Sequence, residues 1–194
     1  MSKDLERIRK YAYRHIKNFD VYIDIGALDG DTSTSLIGDF KRIICFEPNP
    51  NEFSKLSDKV EKYNVALSDR EGLTELVLPN GKKKPGHGSI NRFSKGGISE
   101  GAGGDRIIFK DIPVKKLDSY NISDVSFIKI DTEGSELQIL KGSVNTIKKY
   151  KPVLFFEAKQ LDQKPSKEFV SSMNLNYKFI PVDGDNIVAY VKDE

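Results

Sequence analysis

The stretch Val21-Tyr-Ile-Asp-Ile-Gly-Ala-Leu-Asp-Gly-Asp-Thr32 joins a short apolar strand to a tight turn that holds two glycines. Gly26 comes directly after the strand, where a glycine lets the backbone turn sharply and lets a ligand approach closely. The run from Asp31 to Ser35 then supplies residue types that favour the start of a helix. A strand, a glycine turn and a helix in this order predict the first unit of a nucleotide-binding α/β fold.

A second strand, Arg42–Phe46, ends at Glu47, which lies 21 positions after Gly26. In nucleotide-binding α/β folds, an acidic residue at about this offset binds the ribose hydroxyls. Strand, helix and strand in succession also predict a parallel sheet, whose ligands bind at the carboxyl ends of the strands. We therefore expect the glycine turn and Glu47 to face one ligand.

The rest of the chain continues to alternate between strands and helices. Helices are predicted over residues 3–18, 51–60, 136–141 and 166–173, and strands over residues 63–67, 74–78, 106–114, 125–130, 153–156, 177–182 and 187–191. The last two strands flank Asp183-Gly-Asp185, which is typical of a hairpin turn. Ser135 and Gln138 fit a capping box. Residues 79–105 hold eight of the 15 glycines, and we interpret them as a mobile flap within the domain; the alternative is a disordered insertion.

The glycine turn carries charges that argue against a pyrophosphate ligand. Dinucleotide sites use Gly-x-Gly-x-x-Gly, whereas Gly26-Ala-Leu-Asp-Gly30 lacks the third glycine and has Asp29 and Asp31 in or beside it. Carboxylates suit S-adenosylmethionine, whose sulfonium and ammonium groups are cationic. Asp24 could serve the same charge through a water. The alternative is that Asp29 and Asp31 are turn and helix-start residues only.

Several further stretches, taken together, resemble one known family, the FkbM-type methyltransferases. The resemblance covers about residues 20–160, and its stretches are Ile23-Asp-Ile-Gly-Ala-Leu-Asp-Gly-Asp-Thr32, Phe46-Glu-Pro-Asn-Pro50, Asn64-Val-Ala-Leu-Ser-Asp69 with Gly72, Leu117-Asp-Ser119, Phe127-Ile-Lys-Ile-Asp-Thr-Glu-Gly-Ser-Glu-Leu137, Leu140-Lys-Gly142, and Lys151-Pro152 with Glu157. The family often has Asn where this chain has Leu28.

The resemblance implies a Rossmann-like class I methyltransferase fold. Such a fold has a mostly parallel seven-stranded sheet with a C-terminal antiparallel hairpin and helices on both faces. We expect one domain over residues 1–194, with an N-terminal helix in residues 1–19. The implied reaction is O-methyl transfer from S-adenosylmethionine, which leaves S-adenosylhomocysteine.

The resemblance also implies roles for residues along the donor. Gly26 and Ala27 would line its methionine part, and Asp31 and Thr32 would lie near its carboxylate and ammonium groups. The remaining donor contacts would be Glu47 with Pro48 at the ribose, Asn64, Val65 and Ala66 beside the adenine, and Ser89 and Asp131 facing the donor.

Methyl transfer to an alcohol needs alignment, exclusion of water and removal of one proton. Asp131 ends a buried strand, and we expect it to act as the base or to orient the acceptor. Glu133 is the second candidate, and His87 in the predicted flap could close onto the acceptor. Lys129 could pair with Asp131 or contact the acceptor. Asp131 and Glu133, with Glu157, could instead bind a divalent cation, but no metal ligand is assigned.

Composition narrows the partners. The 194 residues carry a net charge of +2 and one cysteine, which argues against a nucleic-acid partner and a disulfide framework. The absence of an apolar leader or spanning segment leads us to expect a cytoplasmic protein. We expect a small-molecule or glycan acceptor. The alternatives are an RNA ribose methyltransferase, suggested by lysine clusters, a non-catalytic donor-binding protein and a nicotinamide oxidoreductase.

Overall fold

The computed structural model describes residues 3–79, 106–132, 134–157 and 163–192. The predicted flap, apart from Pro79, lies outside these residues, and so do His87, Ser89 and Glu133. Within the described ranges, no helix has the length and apolarity needed to cross a bilayer.

Ten strands in the described part of the chain form two sheets. In chain order they are β1 (Val21–Ile25), β2 (Arg42–Phe46), β3 (Glu61–Tyr63), β4 (Ala66–Leu67), β5 (Gly72–Pro79), β6 (Arg106–Lys115), β7 (Val125–Ile130), β8 (Val153–Glu157), β9 (Tyr177–Pro181) and β10 (Asn186–Val191). The larger sheet has seven strands in the order β3-β2-β1-β7-β8-β10-β9. Its first five strands in that order are parallel, and β10 runs antiparallel to β8 and β9. This confirms the predicted class I fold, including its closing hairpin.

The strand predicted over residues 63–67 is wrong, because the chain leaves the large sheet there. β3 ends at Tyr63, and β4 pairs with β6 in a second sheet of order β4-β6-β5. Between the two strands, the Asn64 side chain donates to the Glu47 carbonyl at 2.8 Å, and Val65 is buried in the main core. The strands predicted over residues 74–78 and 106–114 correspond to β5 and β6, which pair antiparallel in the structure.

Of the predicted helices, those over residues 3–18 and 51–60 are shorter in the structure, the one over 136–141 has the predicted bounds, and the one over 166–173 begins earlier. The helices are α1 (Lys3–Arg7), α2 (Asp31–Thr34), α3 (Pro50–Phe53), α4 (Glu136–Lys141), α5 (Val144–Tyr150) and α6 (Gln163–Ser172). α1 continues as a π-helical turn, Ile8–Ala12, and a 3-10 turn, Tyr13–His15, so the N-terminal helical segment stops before the predicted residue 18.

The helix predicted over residues 51–60 ends early for a visible reason. After α3, the amides of Lys55 and Leu56 bond to carbonyls three residues back, Glu52 and Phe53, which tightens the turn and ends the α-helix. Leu56 is nevertheless buried, as its apolar spacing predicted.

The predicted capping box at α4 does not form. Ser135 is at the N-cap but its side chain makes no capping bond. The Glu136 carboxylate instead accepts the amides of Thr132 and Gly134 and the Thr132 hydroxyl, each at 3.1 Å. A carboxylate in the first turn is also stabilised by the positive end of the helix dipole.

Both faces of the large sheet are buried, which explains why its strands are apolar throughout rather than alternating. On β1, Ile23 and Ile25 pack on one face, and Tyr22 packs on the other against the residues that follow α1. Asp24 shares the face of Tyr22, which places a carboxylate inside this second core.

Candidate active site

The glycine turn after β1 has three left-handed residues. Gly26 and Gly30 both have φ of +78°, and Leu28 has φ of +54°. Asparagine adopts this backbone region more readily than leucine, which explains in physical terms why the resembling family often has Asn at this position. The turn closes through the Gly30 amide, which donates to the Ala27 carbonyl at 2.9 Å.

Glu47, directly after β2, holds the turn from the side. Its Oε2 accepts the Leu28 amide at 2.8 Å and its Oε1 accepts the Asn49 amide at 2.9 Å. Burial raises the pKa of Glu47 to about 7, although these two amide bonds oppose the shift. Each carboxylate oxygen retains capacity to accept another bond. The residue therefore fits the ribose-binding role implied by its position.

The other predicted donor residues lie around the same edge. Asp31 is exposed at the first position of α2, and its amide donates to the Asp29 carboxylate at 3.3 Å. That bond is the turn role considered above for Asp29. Ala27, Thr32, Val65 and Ala66 are buried, and Pro48 and Asn64 are half-buried. Their contacts with a donor stay predictions.

Asp131 lies against the glycine turn. Its amide donates to the Ile25 carbonyl at 3.0 Å, and a Cβ on Gly26 would come within 2.0 Å of its carbonyl oxygen. The Asp131 side chain is 34% exposed. A half-exposed carboxylate thus stands at the carboxyl end of β7, beside the turn that would hold the donor.

Lys129 ties Asp131 to Asp24. Its Nζ lies 3.3 Å from Asp131 Oδ2 and 3.4 Å from Asp24 Oδ1, which confirms the predicted pairing with Asp131. Burial alone would lower the pKa of Lys129, but the neighbouring carboxylates raise it, so the side chain stays cationic. Asp24 is fully buried and also accepts the Ser33 hydroxyl. A contact between Asp24 and the donor through a water stays a prediction.

Sequence reasoning missed two features of this site. Asp4 of α1 places its Oδ2 3.9 Å from Lys129 Nζ, and no local pattern links residues so far apart in the chain. Tyr63 and Tyr120 pack with ring centroids 4.9 Å apart beside the end of β3. An aromatic residue at a strand end, such as Tyr63, is visible in the sequence. Its packing against Tyr120 is not, because Tyr120 follows β6 by several residues and its position depends on the second sheet.

No three His, Cys, Asp or Glu side chains in the part of the chain that the structure describes form a group able to hold a metal ion. Glu133 lies outside that part, so the cation considered with Asp131 and Glu157 is untested. A groove of about 570 Å³ lies at the other end of the strands and is lined by residues such as Asp20, Ser126 and Val153. Because it faces the amino ends of the strands, it is separate from the site described above.

Three solved structures share the fold. The FkbM methyltransferase from Methylobacillus flagellatus KT has a TM-score of 0.62 and 19% identity, over 93% of this chain and 46% of that chain. A precorrin-6y C5,15-methyltransferase from Geobacter metallireducens GS-15 has a TM-score of 0.54 and 16% identity, over 99% and 92%. A precorrin 8w decarboxylase from Methanobacterium thermoautotrophicum has a TM-score of 0.54 and 14% identity, over 100% and 91%.

These similarities establish the fold alone. Identities this low, together with reactions this different, do not fix the chemistry. The chain spans about half the length of the Methylobacillus protein. Comparison with curated proteins gives no match. The sequence, however, matches the FkbM methyltransferase domain over residues 24–190, which is most of its length. The chain therefore belongs to the FkbM family of S-adenosylmethionine-dependent methyltransferases.

Proposed function

We propose that this protein transfers the methyl group of S-adenosylmethionine to a hydroxyl group of a sugar, a glycan or a related small molecule. The observation that carries the proposal is the position of Asp131. Its half-exposed carboxylate follows β7, and its backbone packs directly against Gly26 of the donor turn. An acceptor hydroxyl bound over this edge would meet a carboxylate and the donor side by side.

The donor side of the proposal rests on charge and hydrogen-bonding capacity. Glu47 is buried at the end of β2 with free acceptor capacity for ribose hydroxyls. Asp29 and Asp31 are exposed carboxylates on the turn, and they favour a cationic ligand over a pyrophosphate. S-adenosylmethionine supplies an activated methyl group bonded to a positively charged sulfur.

The residues of this chain then have two tasks. The turn and Glu47 align the donor, and alignment accounts for much of the catalysis in a displacement of this kind. Asp131 accepts the proton of the acceptor hydroxyl as the new carbon–oxygen bond forms. Lys129, at 3.3 Å, fixes the direction of the Asp131 carboxylate.

Calorimetric titration tests the donor half without knowledge of the acceptor. S-adenosylmethionine and S-adenosylhomocysteine should bind, and NAD should not. Failure of the wild-type protein to bind either sulfur nucleoside would end the proposal. Binding of NAD in their place would favour a nicotinamide oxidoreductase.

Transfer of a tritiated methyl group tests the acceptor half. The acceptors are neutral sugars, oligosaccharides and unmodified RNA, offered separately. We expect label in the carbohydrate fractions. Label confined to RNA ribose would support the RNA alternative, and donor binding without label in any fraction would support a non-catalytic protein.

Two matched variants then test the role of Asp131. Asp131→Asn keeps the shape of the side chain but removes its basic oxygen, so transfer should fall by about 10² to 10⁴ while S-adenosylhomocysteine affinity stays near wild type. Asp58→Asn is the control, because the Asp58 side chain is 97% exposed and pairs with Lys62. Equal turnover in all three proteins would remove Asp131 from the mechanism.

A further inference from the structure

Asp4 reaches the candidate site from outside the family-matched segment. It lies in α1, which precedes residue 24, the first residue of the FkbM match. Its Oδ2 is 3.9 Å from Lys129 Nζ, and Asp131 Oδ2 is 3.3 Å from the same atom. Asp4 and Asp131 therefore flank one ammonium group at the end of β7 where transfer is proposed.

Carboxylates outnumber cations around this ammonium group. Asp4, Asp24 and Asp131 surround Lys129, whose side chain is 4% exposed. The second cation nearby is Arg7, which bonds Asp4 at 3.0 Å and lies 2.5 Å from Asp183. Because Arg7 is divided between two carboxylates, it does not cancel the charge of Asp4 alone. The group keeps a net negative charge.

Asp4 and Asp131 are also the members that solvent reaches. Their side chains are 22% and 34% exposed, against 1% for Asp24. Burial raises the pKa of Asp4, and the Lys129 cation opposes this. The solvent-exposed part of the group's negative charge thus lies on Asp4 and Asp131, and the backbone of Asp131 packs against Gly26 of the donor turn.

The two donor-site ligands differ by one positive charge. S-adenosylmethionine carries a sulfonium, an ammonium and a carboxylate, whereas S-adenosylhomocysteine has lost the sulfonium charge. We infer that Asp4, together with Asp131 around Lys129, makes the transfer site select the cationic donor over the neutral product. The inference rests on the proposed function, because it assumes that these nucleosides bind at the glycine turn. Its consequence is that product affinity falls when the methyl group leaves.

Substitutions on one helix separate this effect from a general loss of structure. Asp4→Asn removes the negative charge and should reduce the ratio of S-adenosylmethionine affinity to S-adenosylhomocysteine affinity by about three- to tenfold. Arg7→Gln removes the cation beside Asp4 and should raise the same ratio. Glu6→Gln is the matched control, since Glu6 is exposed on the same helix, two residues from Asp4 and so on another face.

The measurement is calorimetry of both nucleosides with each purified variant, first at low salt and then at about 0.5 M salt, where exposed charges are screened over a few ångströms. The differences between variants should shrink at high salt. If Asp4→Asn affects folding, Asp4→Glu, which keeps the charge, should retain the wild-type ratio where Asp4→Asn does not.

The outcomes distinguish this inference from the proposed function. If the wild-type protein binds neither nucleoside, the proposed function fails and the inference fails with it. If the wild type binds both but Asp4→Asn and Glu6→Gln give the wild-type ratio, the inference alone is overturned. If Arg7→Gln lowers the ratio, the charge of Arg7 and not that of Asp4 governs the site, and the inference is again overturned.

Discussion

Replacement of Glu47 by glutamine should make the free protein more stable at neutral pH. Glu47 is 6% exposed, and its carboxylate accepts hydrogen bonds from the amides of Leu28 and Asn49. Burial raises its pKa from the ordinary value of 4.5 to about 7. The charged form is therefore disfavoured in the folded state, and the protein keeps it at the expense of its own stability.

The pH dependence follows from this shift. Between pH 4.5 and about 7 the folded protein holds a proton at Glu47 that the unfolded chain has released, so wild-type stability falls as the pH rises through this window. One pKa unit corresponds to 1.36 kcal/mol, so the full effect is about 3 kcal/mol. Glutamine resembles the protonated acid and does not titrate. The stability of Glu47→Gln relative to wild type should then rise by about 3 kcal/mol between pH 4 and pH 8.

Urea unfolding at pH 4, 6 and 8 measures this difference from the midpoint and slope of each transition. The informative quantity is how the stability difference between the variant and the wild type changes with pH. The hydrogen bond from a backbone amide that glutamine loses affects this difference equally at every pH. Glu75→Gln is the control, since Glu75 is exposed on β5. If Glu47→Gln and wild type run parallel from pH 4 to pH 8, the burial argument is wrong. The same variant should bind S-adenosylhomocysteine more weakly if Glu47 holds the ribose.

Three further results are expected. If the Glu47 carboxylate holds the ribose as proposed, S-adenosylhomocysteine should release a proton on binding at pH 6 and lose up to about tenfold in affinity per pH unit below 7; calorimetry in buffers of different ionisation enthalpy would detect this, and binding without proton release would contradict it. Gly142→Ala should cost at least about 2 kcal/mol, because its Cβ would lie 2.0 Å from the Ser68 carbonyl oxygen, whereas Gly184→Ala meets nothing within 4 Å and should be neutral in the same unfolding assay. Asp118→Ala should cost about 1 kcal/mol, since Asp118 accepts two amides and a hydroxyl at the start of α5; an unchanged unfolding midpoint would rule out this capping role.

The positions of most strands along the chain could be predicted from the sequence, because each of these strands is marked by a local pattern. The apolar runs at β1, β2, β7 and β8 are bounded by turn residues, and the Asp-Gly turn marks the final hairpin. The lengths of α1 and α3 could not be predicted this way. The apolar spacing at Leu56 is genuine, since the residue is buried, but spacing reports burial and does not report whether the backbone between buried residues remains helical.

The part of the candidate site that is formed by residues at strand ends could be predicted from the sequence. Gly26, Glu47 and Asp131 follow β1, β2 and β7, and parallel pairing brings these ends together. The partners of Lys129 were only half predictable. Asp131 is two residues away, but Asp4 is 125 positions earlier in the chain, and only the packing of α1 onto the sheet brings it close.

Family motifs also mix structural and chemical residues, which sequence alone does not separate. Asp118, in a motif shared with the family, caps α5, and Glu136 bonds the loop before α4. Gly142 allows α4 to pass the Ser68 backbone. These contacts explain the motif residues through folding. Asp131, in the described part of this motif, differs in that its side chain is 34% exposed while it pairs with Lys129.

Stability alone does not explain the buried pair of Lys129 and Asp24. Buried ion pairs are often no better for stability than apolar side chains of the same size, and both members here are almost fully buried. Their contacts, however, join the strand ahead of the donor turn to Asp131, and Asp24 also holds Ser33 in α2, just after that turn. The pair thus links the elements that would hold the donor and the acceptor. We propose that this charge network holds Asp131 in place relative to the glycine turn, because charge-assisted hydrogen bonds have a preferred geometry.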